Sequence, residues 1–453
     1  MTPLEIFKIL NDKGYESYYV GGFVRDMVRN VKASDIDIVT KAKPEEIISL
    51  FPNQKVDLVG KSFGVVIIDG TEVSTFRKDR YFGLSDKNVK IEYSDNVKDD
   101  IERRDLTINA ILYNPLREEI FDYVDGMEDL KYNLIKFVGN ADERILEDPN
   151  RILRACRFKA LLNGYFEEQT YFSLLANNQL LDYVSPERIS IEIKKAMKIQ
   201  KASVFFDALN KLELLEQVFP SLADCVGESQ NRFHKEDIMT HCMTCGDSIS
   251  TKYPMLKLAG YLHDVGKPLT KEYNEESKDY QFLRHEIIGA EIVKPELVGL
   301  RFSNDEIDYI CNVIELHMST PFLTDKATRK SMMRLKEAGI SVCDSVRFKI
   351  ADRKAKVGID GIISKFSVSE LREMLSRIEQ VLVKKEPFSL RDLTINGNDV
   401  MEIMGIEPGP KVGFILKHLF EIVLNEPERN NYDELVSTMK ATWPHIIEQG
   451  GTK

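Results

Sequence analysis

The chain has 453 residues, too many for one hydrophobic core, so two to four domains are expected. Its 43% hydrophobic and 30% charged content reads as soluble and globular, and no run nears the roughly 18 apolar residues that span a bilayer. A net charge of −11 argues against broad, salt-driven nucleic-acid binding and leaves only local concentrations of positive charge, in RRDLTINA (103–110) and RILRACRFK (151–159). The opening MTPLEIFKIL has neither a basic start nor a small-residue cleavage site, so a cytoplasmic protein that makes no use of a membrane is expected. Six scattered cysteines are expected to stay reduced, the lone CxxC pair Cys242 and Cys245 included.

In chain order, LEIFKILNDKG predicts an amphipathic helix ended by Gly14 and SYYV predicts a strand. GGFVRDMVRN is a turn opening a helix, and DIDIVT is a second strand. FGVVII (63–68), EVSTF (72–76) and VKIEY (89–93) add strands to a small sheet. From about residue 141 strand signals vanish. EDPNRILRACRFKALLNG, SPERISIEIKKAMK and ASVFFDALNKLELLEQVF carry apolar residues at three-to-four spacing, and Asp148-Pro149 and Ser185-Pro186 are cap-then-proline starts. Loops or boundaries are expected near 226–236, 271–280 and 386–393.

The sharpest chemical signal is Asp35-Ile-Asp37. Alternate residues of a strand share a face, which places two carboxylates roughly 6–7 Å apart, close enough to share a hard cation. A DxD alone is more often a solvated strand face, so context decides. Gly21 and Gly22 free backbone N–H groups at a helix start, and Arg25 follows one turn later. Arg104, Asp105 and Asn109 on a predicted short helix suit the phosphates and ribose of a nucleotide. In a helix beginning near Asp148, Arg151, Arg154 and Arg157 recur every three residues as a positive stripe. An Asp beside an Arg offers the acceptor and forked donor that read a Watson–Crick edge.

Taken together, GGFVRD (21–26), SDIDIVT (34–40), STFRKDR (74–80), RRDLTINA (103–110), DYVDGMEDL (122–130), EDPNRILRACRF (147–158) and SPERISIEI (185–193) resemble, in order and spacing, the class II tRNA nucleotidyltransferases, the bacterial-type CCA-adding enzymes. The resemblance implies an α+β fold: a polymerase-β-like head with a mixed sheet, then a mostly helical neck and body. It implies CCA addition to tRNA from CTP and ATP with release of pyrophosphate. Asp35 and Asp37 would bind Mg2+ and catalyse, while Gly21, Gly22, Arg25 and Arg104 would hold the triphosphate. Asp105 and Asn109 would sense the ribose, and Asp148 with Arg151 would act as an amino-acid template supported by Arg154 and Arg157. Glu72 is a candidate third carboxylate. DYVDGMEDL would be a hinge, and the loop at 77–88 the element needed for adding A. The chain departs from the family pattern in MVRNVKAS, where a leucine-leucine-glycine stretch is usual, and in YFGLSDKNVKIEY, which lacks a double arginine-proline.

A second constellation, His241, His263-Asp264, His285, His317 and Asp352, carries imidazole and carboxylate ligands suited to a divalent metal of unspecified identity. GYLHDVGKP (260–268), FLRHEIIGAE (282–291), IELHMST (314–320) and IADRKA (350–355) resemble the HD phosphohydrolase superfamily as fused to a subset of these enzymes, which implies an all-α domain with phosphatase or 2′,3′-cyclic phosphodiesterase activity. The division expected is 1–140 head, 141–225 neck, 226–360 HD domain and 361–453 helical tail, with a tight turn at Gly405, Pro408, Gly409 and Pro410 leading into the final helix. Competing readings are a partial-tail enzyme adding CC or A, a poly(A) polymerase, and an RNA-binding or signalling phosphohydrolase with a non-polymerising head. The oligomeric state is not legible.

Overall fold

The computed structural model describes residues 1–33, 35–57, 64–82, 89–232, 234–319, 324–356, 367–383, 387 and 389–450. Two units emerge: residues 1–223 with 250–254 and 296–302, and residues 224–249, 255–295 and 303–453.

The first unit opens with α1 (Pro3–Asp12), β1 (Ser17–Val20), α2 (Gly22–Val28), β2 (Asp37–Thr40) and α3 (Pro44–Leu50). It continues with β3 (Val56–Asp57), β4 (Val65–Ile68), β5 (Thr71–Thr75), the hairpin β6 (Arg77–Tyr81) and β7 (Val89–Tyr93), and α4 (Val97–Glu102). A 3-10 turn (Thr107–Asn109) leads to β8 (Leu112–Asn114), β9 (Glu119–Phe121), α5 (Gly126–Lys131) and β10 (Leu134–Ile135). Helices then dominate: α6 (Ala141–Glu147), α7 (Arg151–Leu162), a short β11 (Tyr165–Phe166), α8 (Glu168–Ala176), α9 (Pro186–Ala196), α10 (Ser203–Lys211), α11 (Leu215–Val218) and α12 (Pro220–Ala223).

Seven strands order as β3-β4-β5-β2-β1-β8-β9, with β2 and β5 parallel and the other pairs antiparallel, so the sheet is mixed. SYYV is buried at all four positions because β1 lies inside this sheet, and its one polar residue, Ser17, donates to Thr40 Oγ1 at 2.8 Å. α1 starts on a capping box between Thr2 and Glu5 and buries Ile6, Phe7 and Leu10; full burial of such a side chain stabilises by about 2 kcal/mol. Tyr18, Val20, Val39, Phe76 and Leu112 belong to one buried core cluster of the sheet. Register places Ile38 opposite Val73 across the parallel pair, so Asp37 and Glu72 each precede that pair by one residue, at the same end.

The second unit contains α13 (Ile238–Ser248), α14 (Pro254–Leu262), the hairpin β12 (Lys271–Asn274) and β13 (Asp279–Phe282), α15 (His285–Gly299) and α16 (Asn304–Leu316). α17 (Asp325–Glu337), α18 (Val342–Ala355), α19 (Val368–Val383), α20 (Gly397–Met404), α21 (Pro410–Asn425) and α22 (Tyr432–Gly450) complete it. α13 packs along α18. Gly246 of α13 lets the α14 ring of Tyr261 approach so closely that a Cβ there would stand 2.3 Å from it. At Gly266 an added Cβ would lie 2.1 Å from the carbonyl oxygen of His285, so the turn after α14 is pressed onto the start of α15.

Local expectations differ in four places. Strands do not vanish after residue 141: Tyr165–Phe166 pairs in parallel with Leu134–Ile135, and the stretch expected as a loop at 271–280 is largely the β12–β13 hairpin. Charged residues mask its alternation, but Tyr273 and Tyr280 face each other directly with ring centroids 5.5 Å apart. The turn at Gly405–Pro410 does lead into a helix, α21, yet α22 follows it. Of the loop expected at 77–88, residues 77–81 form β6 and 83–88 lie outside the described residues, as do Phe63 and Ser34.

Candidate active site and metal centre

Gly21 ends β1 with φ of +76°, a left-handed conformation that favours glycine, and a Cβ there would stand 3.6 Å from the Asp37 carboxylate. Val20, the last residue of β1, pairs with Asp37, so β2 begins at Asp37. Asp35 therefore lies two residues before the strand and is exposed, a correction to the expectation that both carboxylates sit within it. The ladder stops there because the chain turns away into α2 at Gly21 and offers no partner to residues 35 and 36.

The two carboxylates nevertheless act on each other, and a third joins them. Burial pushes the Asp37 carboxyl up to about 6, with Glu72 and then Asp35 adding to the rise and Arg104 opposing it. Glu72 faces solvent on β5. Three hard oxygen donors beside a guanidinium fit a magnesium-type cation facing a phosphate.

Arg104 and Asp105 occupy the turn after α4, and Asn109 ends the 3-10 turn, rather than all three sharing one helix as expected. Asp100, fully buried on α4, accepts from Arg104 at 2.8 Å and from Arg103 at 2.5 Å. This shared carboxylate fixes the arginine whose charge lowers the Asp37 carboxyl. Arg25, buried on α2, donates to Asp26 at 2.9 Å and to Asn109 Oδ1 at 2.9 Å. Asn109 Nδ2 donates in turn to Asp105 Oδ1 at 3.3 Å, and Arg154 Nε donates to Asp105 Oδ2 at 2.6 Å. One hydrogen-bonded chain thus runs from α2 through the 3-10 turn to α7. Burial alone would raise the Asp105 carboxyl, but Arg154 and the Leu106 amide outweigh it and hold it at about 2.

Phe158, one helical turn beyond Arg154, gathers three cations. The guanidinium carbons of Arg157, Arg25 and Arg154 lie 4.3, 5.1 and 5.7 Å from its ring centroid. The negative ring face offsets part of the repulsion among like charges held together in a buried place. Arg157 is further held by Glu192 of α9 at 2.5 Å.

Asp148 caps the end of α6, and α7 begins only at Arg151, three residues later than expected. Asp148 Oδ2 accepts from Arg188 Nη2 at 2.7 Å. Arg151 Nη1 donates to Glu147 at 2.6 Å and to the Arg144 carbonyl at 3.0 Å, while Nη2 reaches the Arg103 carbonyl at 2.9 Å. Asp148 and Arg151 are thus neighbours in sequence that are each engaged by other protein groups. Arg188 and Glu192 carry no role in the sequence reading; the motif SPERISIEI contains them, but only the fold shows which groups they hold.

In the second unit, His241, His263, Asp264, His285, His317 and Asp352 converge. His241 Nε2 lies 3.1 Å from Asp352 Oδ1 and 3.5 Å from Asp264 Oδ2, and His263 Nε2 lies 3.2 Å from Asp264 Oδ2. His285 and His317 present Nε2 to Asp264 Oδ1 at 3.2 and 3.6 Å. Nδ1 of His263, His285 and His317 bonds the backbone carbonyl of Gly260, Phe282 and Ile314 at 3.0, 2.7 and 2.6 Å, which turns each Nε2 lone pair inward. His285 and His317 consequently face each other through Nε2 at 3.3 Å, and the buried His263 Nε2 has no hydrogen-bond partner. Inward lone pairs beside two carboxylates fit a divalent metal ion.

Lys267 Nζ, 2.6 Å from Asp264 Oδ2 and 2.7 Å from Gln230 Oε1, borders the cluster, as do Glu236 and His234. None of these four is singled out by the sequence reading. Burial and the charge of Asp264 push the Cys242 thiol well above its ordinary range, and burial and Asp352 do the same to Cys245, so both stay protonated.

Three family models match: the "Poly A polymerase head domain" over residues 17–136, the "Probable RNA and SrmB- binding site of polymerase A" over 165–226, and the "HD domain" over 239–353. A CCA-adding enzyme of Staphylococcus haemolyticus is 28% identical over 441 residues, 96% of each chain. A CCA-adding enzyme of Oceanobacillus iheyensis is 37% identical over 217 residues, 47% of this chain and 54% of the relative. Poly(A) polymerase I of Haemophilus influenzae is 32% identical over 264 residues, 55% and 58% of the two chains, so these last two matches span about half the relative's length. Among solved structures, the Bacillus stearothermophilus CCA-adding enzyme in complex with CTP superposes with a TM-score of 0.67 at 22% identity, covering 100% of this chain and 99% of its own. The Thermotoga maritima CCA-adding enzyme complexed with tRNA gives 0.55 at 18% identity, covering 98% and 96%.

Proposed function

We propose that the chain belongs to the class II CCA-adding enzymes that carry an HD domain and that it builds or repairs the 3′-terminal CCA of tRNA from CTP and ATP, releasing pyrophosphate. The observation that carries this reading is that Glu72, Arg104 and Asp35 all act electrostatically on Asp37, with Asp37 and Glu72 at the same end of the parallel pair β2 and β5. Asp35 and Asp37, with Glu72 beside them, would hold Mg2+. That ion, when bound, supplies Lewis-acid activation of the tRNA 3′-hydroxyl and neutralises phosphate charge.

The chain's own residues do the rest. Backbone N–H groups at Gly21 and Gly22 and the guanidinium groups of Arg25 and Arg104 hold the triphosphate. Asp105 and Asn109, already locked by Arg154 and Arg25, present fixed polar atoms to the ribose. Asp148 and Arg151 select the base, with Arg154 and Arg157 behind them. In that role Asp148 exchanges Arg188, and Arg151 exchanges Glu147, for the edge of cytosine or adenine. The head at 1–140, the neck at 141–225, the HD domain at 226–360 and the tail at 361–453 divide this work in the cytoplasm; among the described residues no helix is long and apolar enough to cross a membrane.

The HD centre, formed by His241, His263, Asp264, His285, His317 and Asp352, would hold a divalent metal and open 2′,3′-cyclic phosphates or remove terminal phosphates from damaged RNA ends. Incubation of the protein with tRNA lacking CCA and with labelled CTP or ATP tests the whole reading by product length. Three added nucleotides in the order C, C, A are expected. A long A tail, a partial tail, or no incorporation alongside cyclic-phosphate opening would each overturn it.

A further inference from the structure

Four imidazoles build the HD centre, and their outer nitrogens are not held alike. His263 and His317 directly follow α14 and α16, and His285 opens α15; each finds the carbonyl three residues before it and bonds it through Nδ1. His241 differs. It is the fourth residue of α13, and no backbone carbonyl accepts from its Nδ1. Its Nδ1 makes no hydrogen bond in the structure, and Oε1 of Glu236 stands 3.4 Å from it, while its Nε2 faces Asp352 and Asp264.

Glu236 is itself tightly placed. The same Oε1 lies 2.9 Å from His234 Nδ1, and the Glu236 and His234 side chains are only 7% and 8% exposed. The His234 ring stands edge-on to His241 with centroids 5.2 Å apart. Asp237, next in sequence, caps α13 through the Thr240 amide at 2.7 Å and so fixes the loop to the helix that carries His241.

We propose that Glu236 is the positioning residue of the HD centre, supplying through its carboxylate the Nδ1 acceptor that the other three histidines take from the backbone. This rests on the reading that the centre holds a divalent cation. An acceptor at Nδ1 keeps the proton there and leaves the Nε2 lone pair directed at the ion. His234 orients the carboxylate rather than the metal.

Calorimetric titration of the full chain with Mn2+ tests this, with the binding step lost in Asp264→Ala identified as the HD site. Glu236→Ala is expected to weaken that step by about 10- to 100-fold, and Glu236→Gln, which keeps an acceptor without the charge, by about threefold to tenfold. Melting in EDTA near the wild-type temperature shows that the variants are folded; should the alanine variant unfold, the glutamine variant decides. Wild-type Mn2+ affinity in the folded variants overturns the role of Glu236. A wild-type chain whose Mn2+ binding is untouched by Asp264→Ala overturns instead the metal reading on which that role depends.

Discussion

The two charged centres of the chain solve opposite problems. In the head, the groups proposed to face substrate are restrained mainly by other side chains: Arg104 by Asp100, Asp148 by Arg188, Arg154 by Asp105, and Arg151 by Glu147 together with the carbonyls of Arg144 and Arg103. In the HD centre, three of four imidazoles are restrained by the main chain itself. Side-chain partners can be exchanged at modest cost, as a site receiving C, then C, then A requires. Backbone partners cannot, and a centre that holds one ion throughout has no need to exchange them.

The largest expected effect separates the two centres. Asp37→Ala should lower nucleotide incorporation by about a thousandfold or more, the loss of several kcal/mol of charge stabilisation, while Mn2+ binding at the HD site persists. Asp264→Ala should do the reverse, abolishing the Mn2+ binding step of the HD site with CTP incorporation near wild type. Equal damage to both activities from either change would break the comparison.

A smaller effect sharpens it on the head side. If Phe158 holds Arg25, Arg154 and Arg157 as one anion-binding group, Phe158→Leu should raise KM for both CTP and ATP about tenfold with kcat changed less than about twofold, and Phe158→Tyr should recover most of the loss. A fall in kcat alone, unrecovered by tyrosine, would reduce the ring to core packing.

The smallest concerns stability. Asp105 sits at about 2 in the folded chain, below its ordinary 3.8, so its contribution is fully present above the unfolded value and disappears as pH falls through the folded one. On the order of 2 kcal/mol should be lost between about pH 4 and pH 2, and Asp105→Asn should flatten that part of a melting-temperature profile. An unchanged slope in the variant would place the acid sensitivity elsewhere.

Periodicity made much of this readable. The short strands SYYV and DIVT, the helices of the neck and the order of the ligand-bearing segments all follow from local spacing, because each is decided within one element. What escaped was decided between elements. Glu72 is named in the sequence only as a candidate third carboxylate; its place at the same end as Asp37 comes from a parallel register that no local pattern states. Asp35 falls outside β2 because β1 ends at Val20, a fact about the neighbouring strand. Arg188 and Glu192 look like ordinary helix-surface charges until α9 meets α6 and α7. Glu236 was hidden for a subtler reason: its proposed role comes from the Nδ1 of His241, which lacks the backbone acceptor that the other three histidines have.

The glycine at 266 carries a practical lesson about recognising working copies of such a centre. Replacing it with alanine would leave all six metal-facing side chains unaltered, yet the new methyl would collide with the His285 carbonyl and push aside the start of α15. A survey that counts only histidines and aspartates would score that chain as competent. The absence of one carbon atom is as much a part of the ion's enclosure as any nitrogen or oxygen that touches it.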